Sequence, residues 1–196
     1  MKSKSICLII HSLSLGGMER VMSILANNFC ERENIVINIV LIGKEPKIDF
    51  TLNTKIRVFR PGFKFDASKR FKSTIKIIKF IRSTVVRLSP NVILGFGELW
   101  NNLVLLSLFK LKYPVYISDR SQPNKNLGIL NNFLRDRLYP IAEGYIAQTE
   151  KAREIACHKK WNKNIIVIGN PIKLISNLKL QGQENIVLTV GRLIPT

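Results

Sequence analysis

Ile6-Cys-Leu-Ile-Ile-His-Ser-Leu-Ser-Leu-Gly-Gly-Met-Glu-Arg-Val21 is the stretch that decides the fold. Its first five residues, Ile6–Ile10, form an apolar run too short for a buried helix and without polar alternation. That is the pattern of a parallel strand covered on both faces. The pair Gly16-Gly17 interrupts the run, and from Met18 to Glu31 an amphipathic helix is predicted through Val21, Ile24, Leu25, Asn28 and Phe29. Strand, glycine-containing loop and helix open a doubly wound α/β sheet, whose ligands bind at the carboxyl ends of its strands.

The same unit repeats outward along the chain. Strands are predicted at Ile35–Ile42, Ile56–Phe59, Val92–Phe96, Pro114–Ser118, Gly144–Ala147 and Ile165–Ile168. Helices are predicted at Ser68–Leu88, Trp100–Phe109, Ile129–Leu138 and Glu150–His158, the last capped by Thr149. In the long helix Phe71, Ile75, Ile78, Ile81 and Val85 are read as the buried face, and Pro90 marks its end. Alternation of this kind implies a Rossmann-like parallel sheet with helices on both faces. Gly169-Asn170-Pro171 ends the pattern, so residues 1–172 read as one domain. Residues 173–185 read as a polar linker, and Ile186–Val190 as a further strand followed by Gly191-Arg192.

Composition narrows the classes. The 196 residues are 46% hydrophobic and 8% aromatic, enough for a packed core. Thirty-one Lys and Arg against 13 Asp and Glu give a net charge of +18, which a Lys-rich solvated surface or an anionic partner would explain. Cys7, Cys30 and Cys157 are scattered and odd in number, against a disulfide framework or zinc site and for a reducing compartment. His11 and His158 are the two histidines, too few for a His-rich metal cluster. Lys2 and Lys4 before Ile6–Ile10 mimic a short signal peptide, but the apolar run is interrupted by His11 and lacks a cleavage pattern. No stretch approaches the roughly 18 apolar residues of a membrane span.

The first loop, Ser12-Leu-Ser-Leu-Gly-Gly-Met-Glu19, is neither G-x-G-x-x-G nor a P-loop. Its glycines either let backbone N–H groups approach an anion at the helix N-terminus or serve only a tight turn.

The run ending Gly16-Gly-Met-Glu-Arg20 resembles the amino-terminal signature of the family 4 retaining glycosyltransferases. Val92–Phe96 with Gly97-Glu98 and Asn101-Asn102 is similar to that family's fourth strand and its polar mouth. Ile117-Ser-Asp-Arg-Ser-Gln-Pro-Asn-Lys125 resembles the Ser-Glu-Arg-Asn-Asp-Pro loop of relatives that build surface polysaccharides and lipid-linked oligosaccharides. Ala147-Gln-Thr-Glu150, Ile168-Gly-Asn-Pro-Ile172 and Val190-Gly-Arg-Leu193 continue the series in register, the last resembling the start of a donor-binding domain.

The resemblance implies the N-terminal half of a GT-B fold, with residues 186–196 opening a truncated second domain. It implies transfer of a hexose or N-acetylhexosamine, with retained configuration, from a nucleotide diphosphate sugar to a lipid-linked surface glycan precursor. By carry-over, Gly16 and Gly17 lie against the donor phosphate or the acceptor in the cleft, Glu98 and Asn101 line its acceptor side, Asp119 and Arg120 sit at the mouth of the fifth strand, and Arg192 meets the donor diphosphate. No catalytic residue is assigned. Glu98 and Asp119 are read as structural or acceptor-bonding groups or as carboxylates that help the chemistry, and His11 as structural or cleft-facing. The family's paired glutamates belong to the second domain, so the isolated chain is expected to have little activity. No metal and no cofactor beyond the sugar nucleotide are expected.

Between Arg60 and Arg87 nine Lys or Arg stand against Asp66 alone, interleaved with Phe63, Phe65, Phe71 and Phe80. A basic amphipathic segment suits an anionic membrane surface, or its apolar side packs on the sheet while its charges are solvated. A cytoplasmic protein at the inner face of the cell membrane is the expected setting, with no nucleic-acid partner. A non-catalytic basic α/β module that binds anionic membrane or polyanion is the alternative.

Overall fold

The computed structural model describes residues 3–172. The predicted linker 173–185, the strand at Ile186–Val190 and Arg192 lie outside the described residues. Seven strands build one parallel sheet: β1 (Lys4–Ile10), β2 (Ile35–Leu41), β3 (Arg57–Phe59), β4 (Val92–Phe96), β5 (Val115–Ser118), β6 (Gly144–Ala147) and β7 (Ile165–Val167). Their order is β3-β2-β1-β4-β5-β6-β7. Five helices connect them among the described residues: α1 (Gly17–Cys30), α2 (Arg70–Leu88), α3 (Glu98–Leu108), α4 (Ile129–Leu138) and α5 (Glu150–His158), with a 3-10 turn at Tyr139–Ile141.

The apolar run that opened the sequence is the centre of the sheet. Cys7, Leu8, Ile9 and Ile10 are fully buried, with β2 on one side of β1 and β4 on the other. The pleat sends alternate side chains to opposite layers. Cys7 and Ile9 join Ile77, Ile81 and Val85 of α2, Val104 and Leu105 of α3, and Ala152 and Ala156 of α5. Leu8 and Ile10 join Val21, Met22, Ala26 and Cys30 of α1. Each buried aliphatic chain contributes about 1.5–3 kcal/mol by leaving water. Burial also pushes the Cys7 thiol up to about 12, so it acts as a small core residue.

The helices begin or face differently from the periodicity reading in three places. In α1 the buried stripe is Val21, Met22, Ala26 and Cys30, and Asn28 is exposed. In α3 the helix begins at Glu98, two residues before Trp100, because the turn at Gly97 already accepts the amides of Trp100 and Asn101. In α2 the inward face is Ser73, Ile77, Ile81, Thr84 and Val85, whereas Phe71 is 79% exposed and Ile75 37%. The cause lies in its first turn. The Ser73 hydroxyl exchanges hydrogen bonds with the backbone N–H and C=O of Asp66, which fixes Ser73 inward and turns Phe71 outward.

This orientation is checked by denaturant unfolding. Ile81→Ala should cost about 2–5 kcal/mol, since it opens a cavity in a fully buried site. Phe71→Ser should stay within about 0.5 kcal/mol, as expected for a side chain that covers nothing.

Candidate functional site

The strand order reverses at β1: the chain runs outward through β2 and β3, then crosses back to place β4 on the other flank. Ligands of open α/β sheets sit in the crevice at this switch point, beyond the carboxyl ends. The polar residues named from sequence gather along that edge because every position deeper in β1 is taken by core side chains.

His11 follows β1 directly. Its ring is stacked on Trp100, with centroids 5.4 Å apart and planes 9° from parallel. Its Nε2 lies 3.2 Å from Glu19 Oε1, and its Nδ1 is buried without a partner among the described residues. Burial lowers the His11 pKa and the Glu19 charge opposes that shift only in part, so the ring is neutral at pH 7. The pairing places the proton on Nε2 and leaves Nδ1 an acceptor. Glu19 is itself 91% buried and folds back over Gly16, where an added Cβ would meet its carboxylate. A side chain at Gly16 would therefore push the Glu19 carboxylate aside, while Gly17 faces open space. No side chain caps α1, which leaves its N-terminus, in the loop after β1, favourable to an anion.

Gly97, between β4 and α3, has a φ of 103° and packs its Cα toward Met18, the left-handed geometry that glycine tolerates. Glu98 follows as the first residue of α3. Its Oε1 accepts from the Ser121 hydroxyl and from Lys125 Nζ at 3.5 Å. Burial pushes the Glu98 pKa up, but the Ser121 bond, the Glu98 backbone amide and Lys125 together outweigh it. The net shift is downward, and the carboxylate is ionised at neutral pH.

Asp119, at the end of β5, lies beneath this mouth at 7% exposure. Its Oδ1 accepts from Asn101 Nδ2 at 2.9 Å and from the Tyr139 hydroxyl at 2.7 Å, and its Oδ2 faces the Tyr145 hydroxyl at 3.4 Å. Asn101 is fully buried and also donates to the Ser118 carbonyl at 3.1 Å. Burial raises the Asp119 pKa to about 6, against the lowering effect of the Tyr139 and Asn101 bonds. Arg120 turns the other way. Its guanidinium lies 4.2 Å over the Phe96 ring, and its Nη1 donates to Asn170 Oδ1 at 2.9 Å, an oxygen shared with Gln148 Nε2. Burial lowers its pKa to about 10, which leaves it charged, and its buried Nε is unpartnered among the described residues.

The structure therefore brings Gly16, Gly17, Glu98 and Arg120 to one edge and sets Asn101 and Asp119 below it as the network that supports them. His158 sits apart, in the last turn of α5. Glu19, Trp100, Ser121, Lys125, Tyr139, Tyr145, Gln148 and Asn170 were not singled out from sequence. Glu19 carried the clearest signal, an acid three residues after the glycine that caps α1. The two tyrosines carried none, since a strand or turn tyrosine reads as core until its hydroxyl partner is known.

Asp119 yields a sign-determined test. Its folded pKa is raised above the unfolded value near 3.9, so its contribution to stability is fully present below pH 4 and is lost as pH rises through about 6. Asp119→Asn should remove that slope and leave the protein at pH 7 as stable as wild type or more so, by up to about 3 kcal/mol. Urea unfolding of both proteins at pH 4.5 and 7.5 measures it.

No protein-family model matches the chain. Among characterised proteins it is similar to the GalNAc-alpha-(1->4)-GalNAc-alpha-(1->3)-diNAcBac-PP-undecaprenol alpha-1,4-N-acetyl-D-galactosaminyltransferase of Campylobacter jejuni, 24% identical over 199 residues. That alignment covers 96% of this chain and 52% of the relative, so the chain spans about half of that protein's length. Among solved structures it resembles the lipopolysaccharide outer core galactosyltransferase WaaB, with a TM-score of 0.69 at 14% identity over 88% of this chain and 47% of that one. The UDP-GlcNAc 2-epimerase of Neisseria meningitidis matches at a TM-score of 0.56 and 17% identity, over 85% of this chain and 46% of that one. The chain thus has a GT-B-like, Rossmann-type α/β fold, one that carries both transferases and epimerases, so the reaction must be argued from the site.

Proposed function

We propose that residues 3–172 form the acceptor-binding half of a retaining glycosyltransferase of the family 4 type. The reaction moves a hexose or N-acetylhexosamine from a nucleotide diphosphate sugar to a lipid-linked glycan precursor, at the cytoplasmic face of the cell membrane. The observation that carries this reading is the polar edge at the β1/β4 switch point, in a chain similar along 96% of its length to a transferase whose name specifies an undecaprenol-diphosphate glycan. The edge has the chemistry of acceptor recognition. Glu98 is an ionised carboxylate whose two side-chain partners both take Oε1, which leaves Oε2 for a sugar hydroxyl. Arg120 is a retained cation, and the α1 terminus favours an anion.

In this reading no group here is the chemical base, and Asp119 serves by holding α3 and β5 together. Gly16 and Gly17 face the cleft, and Arg192 meets the donor diphosphate. No metal or cofactor beyond the sugar nucleotide is proposed. The 196 residues alone are proposed to transfer little sugar, the donor contacts belonging to the other half of such an enzyme. Basic side chains of 60–87 face an anionic membrane. Arg82 differs from the rest, since its Nη1 donates to the Ser107 and Phe109 carbonyls and closes the end of α3. Among the described residues no helix is long and apolar enough to cross a membrane.

The reading is tested with the whole gene product, a panel of UDP-sugars, and an undecaprenyl-diphosphate-linked glycan beside its lipid-free counterpart. Transfer to the lipid-linked acceptor with retained anomeric configuration is expected. Glu98→Gln should lower kcat/KM by about tenfold or more, the loss of a charge-assisted hydrogen bond. Salt-sensitive binding to anionic vesicles with no transfer from any donor would instead favour a non-catalytic basic module.

A further inference from the structure

Beside the polar edge, α2, α3 and the start of α4 enclose a groove of about 360 Å³. Apolar side chains, among them Phe65, Ile77, Leu103, Leu106, Leu130 and Leu134, supply most of its wall. The volume falls in the roughly 300–1,000 Å³ range of small-molecule sites. Leu99, Leu106 and Leu130 reach its rim with 44%, 43% and 69% of their surface exposed. Such clustering of open apolar surface marks a binding site.

Two further observations say what fits. First, a second pocket of about 350 Å³ adjoins the groove and shares Lys44 with it. Lys44, Lys47, Arg60 and Lys64 line it, with Glu45 the one acid, and Arg70 stands on the groove itself. Lys44 is held at the junction with its Nζ 5.4 Å from the centre of the Phe65 ring, a cation fixed against an apolar wall. Second, Trp100 both stacks on His11 and lines the groove, so the groove opens onto the polar edge.

A narrow apolar channel joined to a basic pocket matches an amphiphile with one hydrocarbon chain and an anionic head. A second copy of this chain is a poor match, since it would bring its own +18 charge against the same cations. We propose that this bipartite cleft seats the hydrocarbon chain and phosphate of a single phosphate-bearing lipid, the chain in the α2–α3–α4 groove and the phosphate against Lys44, Lys47, Arg60 and Lys64. The proposal deepens the acceptor reading and rests on it for the lipid's role.

The test uses the 196-residue chain and farnesyl monophosphate below its micellar concentration, with farnesol and inorganic phosphate as the two halves of the probe. Trp100 is a built-in reporter, since the chain's other tryptophan, Trp161, is buried in the core. Farnesyl phosphate should bind at least tenfold more tightly than either half and shift the emission, and Trp100→Phe should remove the shift. The double variant L106Q/L130Q, at exposed positions that the fold tolerates, should weaken binding about tenfold. Lys44→Glu with Lys64→Glu should weaken it and flatten its salt dependence.

The proposal is overturned if farnesyl phosphate binds no better than inorganic phosphate, or if L106Q/L130Q leaves its affinity unchanged. It is equally overturned if only anionic vesicles bind, which would make the patch a bilayer contact, or if the double variant dissolves a dimer. Failure of the transferase reading looks different: farnesyl phosphate binds as expected while the whole gene product transfers no sugar.

Discussion

The carboxylate of Asp119 ties three structural elements to the end of β5. Asn101 reaches it from α3, Tyr139 from the 3-10 turn after α4, and Tyr145 from β6. The same Tyr139 hydroxyl lies 3.3 Å from the Glu98 carbonyl, so the first turn of α3 is anchored from below. The support continues into the core, where Tyr139 and Tyr145 pack edge-on against Trp161. Trp161 in turn donates to Asp136 at 2.7 Å and carries the Arg135 guanidinium 4.1 Å above its ring. A buried carboxylate with its oxygens engaged costs less than a bare one but still resists ionisation. Asp119 is therefore held as a positioning group, and the groups free to meet a ligand, Glu98 and Arg120, are the neighbours it positions.

Charge is partitioned in the same way. Among the described residues there are two ion pairs, Lys125 with Glu98 at the polar edge and Arg153 with Glu150 in α5, while the neutral His11 ring donates to Glu19 at the same edge. Acids are scarce in this chain, 13 in all, yet Glu19, Glu98 and Asp119 are concentrated around one crevice. The cations of α2 have no such partners; Lys76 and Arg87 lie over the rings of Phe63 and Phe59 instead. The result is a neutralised, hydrogen-bonding edge beside a strongly positive flank. A polar, weakly charged group suits the first and an anion the second.

Much of this was legible in the sequence because it follows from local rules. The run Ile6–Ile10 could only be a buried parallel strand, and the repeat of strands and helices then set the sheet. Strands β4 and β6 and helices α4 and α5 fall at their predicted bounds, and Thr149 caps α5 by accepting from the Ala152 amide. What escaped was set by contacts distant in sequence. The inward face of α2 depends on a seven-residue link from Ser73 to Asp66, which periodicity cannot register. The depth of Asn101 and Asp119 depends on two tyrosines from other elements. Glu98 and Asp119 look alike in the sequence, each just past a strand. Exposure separates them, one ionised at the edge and one raised toward neutrality below it.

Trp100 is the residue on which the two proposed halves of recognition converge. One face is taken by His11 at the polar edge, and the indole also lines the apolar groove. An amphiphile bound across this junction has its orientation fixed without any sequence-specific contact. Its chain is disfavoured at the edge, where it would strip solvent from the charged Glu98 and Arg120. Its sugar is disfavoured in the groove, whose wall is mostly apolar. Polarity then marks out the cleft: the apolar groove meets the basic pocket at Lys44 and the hydrogen-bonding edge at Trp100. Such a site would tolerate many glycans on one kind of lipid, with choice among glycans left to the few groups at the edge, chiefly Glu98 and Arg120.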